Sequence, residues 1–271
     1  MKTRVISAAV GLVILAAVLY FFDTVVLDAA VIFLSVVAVH ELIHASPLRD
    51  KKWFEAVCLL FGAAFSTVYF HIFSSLTLLA EFIFAGILLI FLLFDHKEVK
   101  AEDMAFAFFV STLVPRGFSL LLLFREYQSP LSYFLVFLSL GVAWFNDTFA
   151  YFSGRFFGKK KLCPEISPKK TVEGAIGGVL GDLAACLLMT WIFSAKAGFS
   201  VNWLSLSIFL PVGAVAGILG DLCASIIKRQ FGVKDYGNIM PGHGGVMDRF
   251  DSWLFVAPLL YIWNIYLPFV G

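Results

Sequence analysis

Charged side chains are scarce in this sequence, and their scarcity excludes an ordinary soluble domain. They account for 14% of the 271 residues, whereas 61% of the residues are hydrophobic and the mean hydropathy is +0.92. Soluble domains usually carry roughly 25% charged residues. The apolar content exceeds what a single core needs, so the composition predicts a polytopic membrane protein. The net charge of +1 gives no indication of nucleic-acid binding.

Cysteine motifs are missing as well. The four cysteines are widely spaced and form no C-x-x-C pair, so neither a zinc knuckle nor a disulfide framework is indicated. The N-terminus has a basic start and an apolar run but no small-residue cleavage site, which predicts a retained first span. The sequence also contains no convincing internal repeat and no low-complexity tract.

Apolar segments long enough to cross a bilayer recur along the chain. A transmembrane helix needs about 20 mostly apolar residues, because each residue adds about 1.5 Å to its length. The sequence therefore predicts an all-α, polytopic integral membrane protein with about nine transmembrane helices. The predicted spans are residues 5–22, 25–45, 54–72, 76–94, 104–124, 130–153, 174–194, 203–227 and 252–270.

The positions of the basic residues predict how these helices are oriented. With nine spans, 17 of the 20 Lys and Arg residues fall on the side that holds the N-terminus. Basic residues concentrate on the cytoplasmic side of membrane proteins. We therefore expect a multi-pass protein of the inner (plasma) membrane, with its N-terminus in the cytoplasm.

The largest polar segments lie in the second half of the chain. They are residues 155–173 and 228–251, and both fall on the predicted cytoplasmic side. We expect a single membrane domain over residues 1–271, in which residues 1–128 form scaffold spans one to five. Residues 129–271 are expected to form the catalytic spans six to nine.

Acidic residues recur near the predicted cytoplasmic ends of the last four spans. They are Asp147, Asp182, Asp221, Asp248 and Asp251. Charges inside a membrane are costly and often mark functional sites, and paired aspartates hold hard divalent cations. A helix cap is an equal alternative for Asp251, and buried pairing is an equal alternative for Asp182.

The composition of residues 225–251 is typical of a site that handles phosphate. Lysine and arginine neutralise phosphate oxygens, and glycines let backbone N–H groups approach an anion. Just before and within this segment, Asp221, Ser225 and Lys228 are spaced i, i+4, i+7, so they share one helical face.

A second basic segment precedes the predicted seventh span. Residues 159–161 are interpreted as an anchor that contacts lipid headgroups. Ser167, Lys169 and Lys170 are interpreted as holding phosphate at a helix N-terminus. Beyond them, glycines in two overlapping G-x-x-x-G pairs predict close helix packing: Gly174, Gly177, Gly178 and Gly181.

Three motifs in the second half resemble one known family. The run S-x-x-K-R-x-x-x-x-K-D-x-G, closed by P-x-H-G-G-x-x-D-R-x-D, covers residues 225–251. It resembles the motif of the integral-membrane phosphatidate cytidylyltransferases, the CDP-diacylglycerol synthases, except that Met240 stands where a smaller or branched aliphatic residue is usual. Residues 146–155 and 166–174 resemble two further blocks of that family. The first half of the chain agrees with the family only in length and hydrophobicity.

The resemblance implies a nucleotidyltransferase that converts CTP and phosphatidate to CDP-diacylglycerol and pyrophosphate at the cytoplasmic membrane face. In the implied reaction, the lipid phosphate attacks the α-phosphate of CTP with the help of a metal ion. The resemblance implies Asp221 and Asp248 as metal ligands and Mg²⁺ as the ion, with a second cation left open. The expected partners are CTP, phosphatidate and the lipid bilayer, without nucleic acid. A homodimer is expected on base rates alone.

The residues expected to serve this reaction form two groups. The catalytic group is Asp221, Asp248, Asp147, Lys228 and Arg249. Arg249 is expected to position Asp248. The substrate-binding group is Ser167, Lys169, Lys170, Ser225, Arg229, Lys234, His243, Gly244 and Gly245. For His243, ordering of its glycine loop is an equal alternative to phosphate binding.

Two other classes of protein compete with this interpretation. The run from His40 through Glu41 to His44 matches H-E-x-x-H, in which two histidines bind zinc and the glutamate acts as base. It would suit an intramembrane zinc metalloprotease, but no segment supplies an obvious third zinc ligand. An ion-coupled transporter would account for the intramembrane acids, with a helix break at Pro115. Such a break has no counterpart in another half of the chain.

Overall fold

The structure, a computed structural model, describes residues 2–67, 75–242 and 244–270. It consists of ten helices and one two-stranded hairpin in these residues. In chain order they are α1 Lys2–Tyr20, α2 Val25–Ala45, α3 Lys52–Phe65, α4 Ser75–Asp95, α5 Ala101–Arg125, α6 Leu131–Phe157, β1 Lys161–Cys163, β2 Ser167–Thr171, α7 Val172–Ala197, α8 Trp203–Gln230, α9 Met247–Phe250 and α10 Trp253–Tyr266.

Each predicted span contains a helix, but not every helix is long enough to cross a bilayer. Among the residues that the structure describes, six helices have sufficient length and apolar character: α2, α4, α5, α6, α7 and α8. With 14 residues each, α3 and α10 are about 21 Å long, which is less than the roughly 30 Å of a hydrocarbon core. The predicted end of the third span lies outside the described residues. The chain is thus a nearly all-helical, multi-pass membrane protein.

The chain forms two compact units. The first comprises residues 1–123 and 230–249, and the second comprises residues 124–229 and 250–271. The segment after α8 thus groups with the N-terminal helices, although it follows the predicted catalytic spans in sequence.

The core of the first unit is rich in phenylalanine. The Phe61 and Phe84 rings stack 4.6 Å apart, and Phe54 contacts Phe91 at 4.7 Å. Arg116 of α5 pairs with Glu81 of α4 and lies 5.0 Å from the centre of the Phe65 ring. The charges of Arg116 and Glu81 therefore balance each other in this apolar region.

The helix break suggested at Pro115 is not present. The described helix α5 continues through Pro115 and Arg116 to Arg125. Neighbouring groups can compensate for the backbone hydrogen bond that proline removes inside a transmembrane helix. The described helix α5 therefore lacks the break that is typical of transporter helices.

In the second unit, α6 and α7 pack through the predicted glycines. A Cβ atom on Gly178 would lie 2.7 Å from Asn146 Oδ1 and 2.9 Å from Ala150 Cβ. Cβ atoms on Gly177 and Gly181 would collide with Ser153 and Phe149 of α6. Glycine allows this close approach because it has no side chain. The helix-packing prediction for these glycines is confirmed.

Replacement of Gly178 by valine is expected to destabilise the protein by about 1–3 kcal/mol, because the added methyl groups overpack the contact between α6 and α7. Thermal unfolding in detergent measures the effect. Gly86→Val is the matched control, because a Cβ atom on Gly86 of α4 meets no atom within 4 Å. Equal melting temperatures for the two variants would contradict this account of the packing.

The β1–β2 hairpin was not predicted, because local composition marks residues 155–173 only as a polar and basic segment. Strand β1 pairs antiparallel with β2, with Lys161 opposite Thr171 and Cys163 opposite Ser167. The carboxylate of Glu173, in the first turn of α7, accepts backbone N–H bonds from Lys159 at 3.0 Å and Lys160 at 3.2 Å. These bonds connect the start of the hairpin to the start of the following helix, a long-range contact that local composition does not reveal.

Candidate active site

The second unit contains a cavity of about 220 Å³ that carries both acidic and basic side chains. Its walls come from the C-terminal part of α6, the hairpin, the first turn of α7 and the C-terminal half of α8. The lining residues are Asp147, Ala150, Tyr151, Leu162, Lys169, Lys170, Thr171, Gly174, Ala175, Ile218 and Asp221. Two aspartates and two lysines predicted from the sequence therefore meet in one cavity.

Asp221 contacts side chains from both the hairpin and its own helix. The Lys170 ammonium lies 2.5 Å from Asp221 Oδ2. The Ser225 hydroxyl, one helical turn further along α8, donates to Asp221 Oδ1 at 3.3 Å. The prediction that Asp221 and Ser225 share one face of a helix is confirmed.

A buried ion pair continues this face of α8. Lys228 Nζ lies 4.0 Å from Asp251 Oδ2, and both side chains are buried. Burial raises the pKa of Asp251 above its ordinary value, the negative charge of Asp221 raises it further, and the Lys228 ammonium opposes the shift. The carboxylates of Asp221 and Asp251 thus each lie near a lysine ammonium, so part of their negative charge is balanced.

Asp147 adds a third carboxylate to this region from α6. Its side chain is exposed and lines the cavity, and Asp147 Oδ2 accepts a bond from the Ser252 hydroxyl at 3.4 Å. The negative charge of Asp147 is also close enough to Asp251 to raise the pKa of Asp251 slightly. The cavity therefore has carboxylates on two of its helical walls.

The hairpin places Lys169 and Lys170 directly before a helix, as predicted. Thr171 is the N-cap of α7, and Thr171 Oγ1 accepts a bond from Gly174 N at 3.1 Å. Threonine at this position satisfies one of the free N–H groups at a helix start. The strand and the cap together fix where the two lysines stand relative to α7.

The first unit holds Asp248 in a separate hydrogen-bonded segment. Asp248 Oδ2 accepts backbone bonds from Tyr236 N at 2.8 Å and Gly245 N at 3.0 Å. Glu41 of α2 accepts two further bonds, from Val246 N and Met247 N. The glycine-rich segment therefore directs its N–H groups at two carboxylates of the protein itself.

The remaining predicted residues are placed as follows. Ser167 begins β2, and Lys228 is buried on α8, whereas the side chains of Arg229, Lys234 and Arg249 are exposed. Gly244 has a φ of +87°, which favours glycine. The amide of Gly245 is bonded to Asp248, and His243 lies outside the described residues. The pairing of Asp221 with Asp248 around one metal, like the role of Arg249, stays a prediction.

Sequence reasoning did not single out several residues of the site. Tyr151 and Thr171 line the cavity and lie in residues 146–155 and 166–174, which resemble family motifs. Neither residue is charged, so the sequence does not mark it as a site residue. Ser252 follows the last motif by one residue and contacts Asp147. In the sequence, Glu41 stands out only as part of the H-E-x-x-H pattern, because its partners lie more than 200 residues away.

The H-E-x-x-H residues do not form a zinc site. His40 Nδ1 contacts Glu55, the His40 and His44 rings stack 5.6 Å apart, and the Glu41 carboxylate is occupied by backbone N–H groups. Within the three described stretches, no group of three or more His, Cys, Asp or Glu side chains is arranged to hold a metal ion. A protease zinc needs three protein ligands.

Comparison with known proteins gives a consistent family. The profile of the Cytidylyltransferase family matches residues 2–267. The chain belongs to the cytidylyltransferase family. The match includes the first half, where the motifs gave no specific signal, and it extends over both compact units.

Curated members of the cytidylyltransferase family align closely with this chain. The Phosphatidate cytidylyltransferase of Staphylococcus haemolyticus is 34% identical over 266 residues, which are 97% of this chain and 98% of that protein. The protein of the same name from Bacillus subtilis is 43% identical over 126 residues, 46% of this chain and 45% of its own. The Staphylococcus aureus protein of that name is 37% identical over 177 residues, 65% of each chain.

Proposed function

We propose that this protein is a phosphatidate cytidylyltransferase, which converts CTP and phosphatidate to CDP-diacylglycerol and pyrophosphate. The observation that carries the proposal is the alignment with a protein of that name over 98% of its length. The cavity that brings Asp147 and Asp221 together with Lys169 and Lys170 supports it independently, because it combines the groups that a reaction between two phosphate compounds requires.

The chemistry needs charge screening more than it needs a base. An oxygen of the phosphatidate phosphate forms a bond to the α-phosphorus of CTP, and the bond between that phosphorus and the pyrophosphate oxygen breaks. The attacking phosphate is already ionised near neutral pH, so no strong general base is needed. The main obstacle is repulsion between two polyanions, which cationic side chains reduce.

The lysines of the hairpin are the proposed phosphate contacts in the second unit. Lys170 lines the cavity and is paired with Asp221, so its ammonium already lies in the region where phosphate oxygens would bind. Lys169 is exposed beside it. Both lysines immediately precede the α7 N-terminus, whose N–H groups also favour anions.

The donor set suits Mg²⁺ as the metal. Mg²⁺ is usually held by one or two carboxylates together with waters and substrate phosphates, so a cage of three protein ligands is not needed. Asp221 and Asp248 are the proposed ligands, and Asp147 is a further acidic contributor at the cavity wall. A bound Mg²⁺ would neutralise phosphate charge and stabilise the departing pyrophosphate.

The proposed setting is the cytoplasmic face of the inner membrane, in a protein with about nine spans and a cytoplasmic N-terminus. The distribution of 17 of 20 Lys and Arg residues supports this orientation. CTP is dissolved in the cytosol, whereas phosphatidate keeps its acyl chains in the bilayer. A site at the cytoplasmic ends of helices in residues 129–271 meets both substrates.

Cytidylyl transfer by purified protein tests this function. The protein is incubated with phosphatidate, Mg²⁺ and CTP labelled at the α-phosphorus, and the lipids are then extracted. We expect label in the lipid fraction only when phosphatidate is present. CTP labelled at the γ-phosphorus is the matched control and should leave the lipid unlabelled. Absence of lipid label from α-labelled CTP, or its appearance from γ-labelled CTP, would refute the proposal.

A further inference from the structure

Glu41 is a buried carboxylate whose two oxygens are each bonded to the backbone of a distant segment. Val246 N donates to Glu41 Oε1 and Met247 N donates to Glu41 Oε2, both at 2.9 Å. Only 4% of Glu41 is exposed. A carboxylate can accept two such bonds at once, and a buried N–H group that loses its acceptor destabilises the folded segment.

Two glycines leave the space that this carboxylate fills. A Cβ atom on Gly237 would lie 2.7 Å from Glu41 Cδ, and a Cβ atom on Gly245 would collide with both carboxylate oxygens. Neither glycine has a positive φ angle, so backbone conformation does not require them. Their role in the structure is to let the segment fold tightly around Glu41.

The same segment carries Asp248 directly after the residues that Glu41 holds. Asp248 Oδ2 accepts bonds from Tyr236 N and from Gly245 N. Gly245 therefore lies beside both carboxylates, since its amide bonds to Asp248 and a Cβ atom on it would collide with Glu41. A change in the position of Glu41 would be transmitted through residues 245–247 to Asp248.

We propose that Glu41 is a positioning residue for Asp248. Its carboxylate accepts hydrogen bonds from the N–H groups of Val246 and Met247 and so holds in place the segment that carries Asp248. The inference rests on the proposed function in one respect, because it takes Asp248 as a metal ligand. It also gives the H-E-x-x-H pattern a different meaning, in which the glutamate orders a backbone segment and the two histidines have no part.

Glu41→Gln tests the proposal. Glutamine has the volume of glutamate, but it replaces one carboxylate oxygen by an NH₂ group, which cannot accept a hydrogen bond. One of the two backbone N–H groups therefore loses its acceptor. Loss of a group that orients a metal ligand typically weakens metal binding or activity about 10–100-fold. We expect Mn²⁺, used as a spectroscopic probe for Mg²⁺ and followed by electron paramagnetic resonance, to bind Glu41→Gln about 10–100-fold more weakly than the wild type.

His44→Gln is the matched control. His44 lies one turn further along α2 and its side chain is exposed, so the substitution should leave both Mn²⁺ binding and cytidylyl transfer unchanged. In activity assays, the Mg²⁺ concentration for half-maximal rate should rise in Glu41→Gln and stay unchanged in His44→Gln. A defect in folding alone would lower the amount of active protein without moving that concentration.

Gly237→Ala provides a second test that keeps Glu41 in place. The added methyl group would displace the carboxylate from its two N–H donors, so weaker Mn²⁺ binding is again expected. Wild-type Mn²⁺ affinity in a folded Glu41→Gln or Gly237→Ala protein would overturn the proposal. Mn²⁺ binding is measured without turnover, so the two proposals can fail separately. A wild-type protein that shows no cytidylyl transfer would refute the proposed function, whereas the Mn²⁺ affinities of the variants test the role of Glu41.

Discussion

Asp221→Asn is expected to lower cytidylyl transfer by about a thousandfold, because removal of one group that stabilises charge at a reaction centre commonly costs 10²–10³ in rate. Asparagine keeps the volume of the side chain and an oxygen that can accept the Ser225 hydroxyl bond. It removes the negative charge that pairs with Lys170 and that would bind a divalent cation. The measurement is the initial rate of CDP-diacylglycerol formation at saturating CTP and Mg²⁺.

Asp50→Asn is the control for this substitution. This substitution makes the same chemical change at a side chain that is 86% exposed. The Asp50 carboxylate lies 3.5 Å from the Arg49 guanidinium. An exposed ion pair of this kind contributes little to stability, so activity should stay at the wild-type level. Wild-type rates in a correctly inserted Asp221→Asn protein would remove Asp221 from the reaction centre.

Lys170→Met is expected to lower kcat/KM for CTP by about a hundredfold, through loss of one cationic contact to the nucleotide phosphates. Methionine retains most of the apolar length of lysine, so β2 and the N-terminus of α7 should be undisturbed. If the ammonium contacts phosphate in both the bound substrate and the transition state, KM should rise more than kcat falls. Steady-state kinetics with varied CTP separate the two constants.

Lys161→Met is the matched control in the same hairpin. Lys161 lies on β1, its side chain is exposed, and it does not line the cavity. Its removal should change kcat/KM for CTP little, apart from a small effect of net charge. An equal loss of kcat/KM in Lys161→Met and Lys170→Met would mean that the hairpin acts through its overall charge. The prediction of a specific phosphate contact by Lys170 would then be wrong.

The features that could be predicted from the sequence are those that repeat along one helix. Hydropathy located a helix in every predicted span, because lipid requires long apolar segments whatever their partners. The i, i+4 spacing of Asp221 and Ser225 is local, so helical geometry alone placed them together. The glycines of α7 were also recognisable, because small residues at four-residue spacing allow close packing in any pair of helices.

The features that could not be predicted depend on contacts between distant residues. The hairpin depends on Glu173 and on pairing between Lys161 and Thr171. Pro164 favours a turn between the strands, but a single proline does not show which residues pair across that turn. Glu41 is the sharper example, because its immediate neighbours suggested zinc chemistry while its hydrogen-bond donors are Val246 and Met247. A five-residue pattern describes one turn of helix and contains no information about the chain that packs against it.

The ion pair between Arg116 and Glu81 has a consequence for how the chain enters the membrane during its synthesis. A single charged residue at the centre of a helix costs about 2.5–3.5 kcal/mol when that helix is inserted alone. Glu81 lies on α4 and Arg116 on α5, so the ion pair that lowers this insertion free energy forms only when both helices are present. The two helices should therefore leave the translocation machinery for the bilayer as a pair, with α4 held back until α5 has been made.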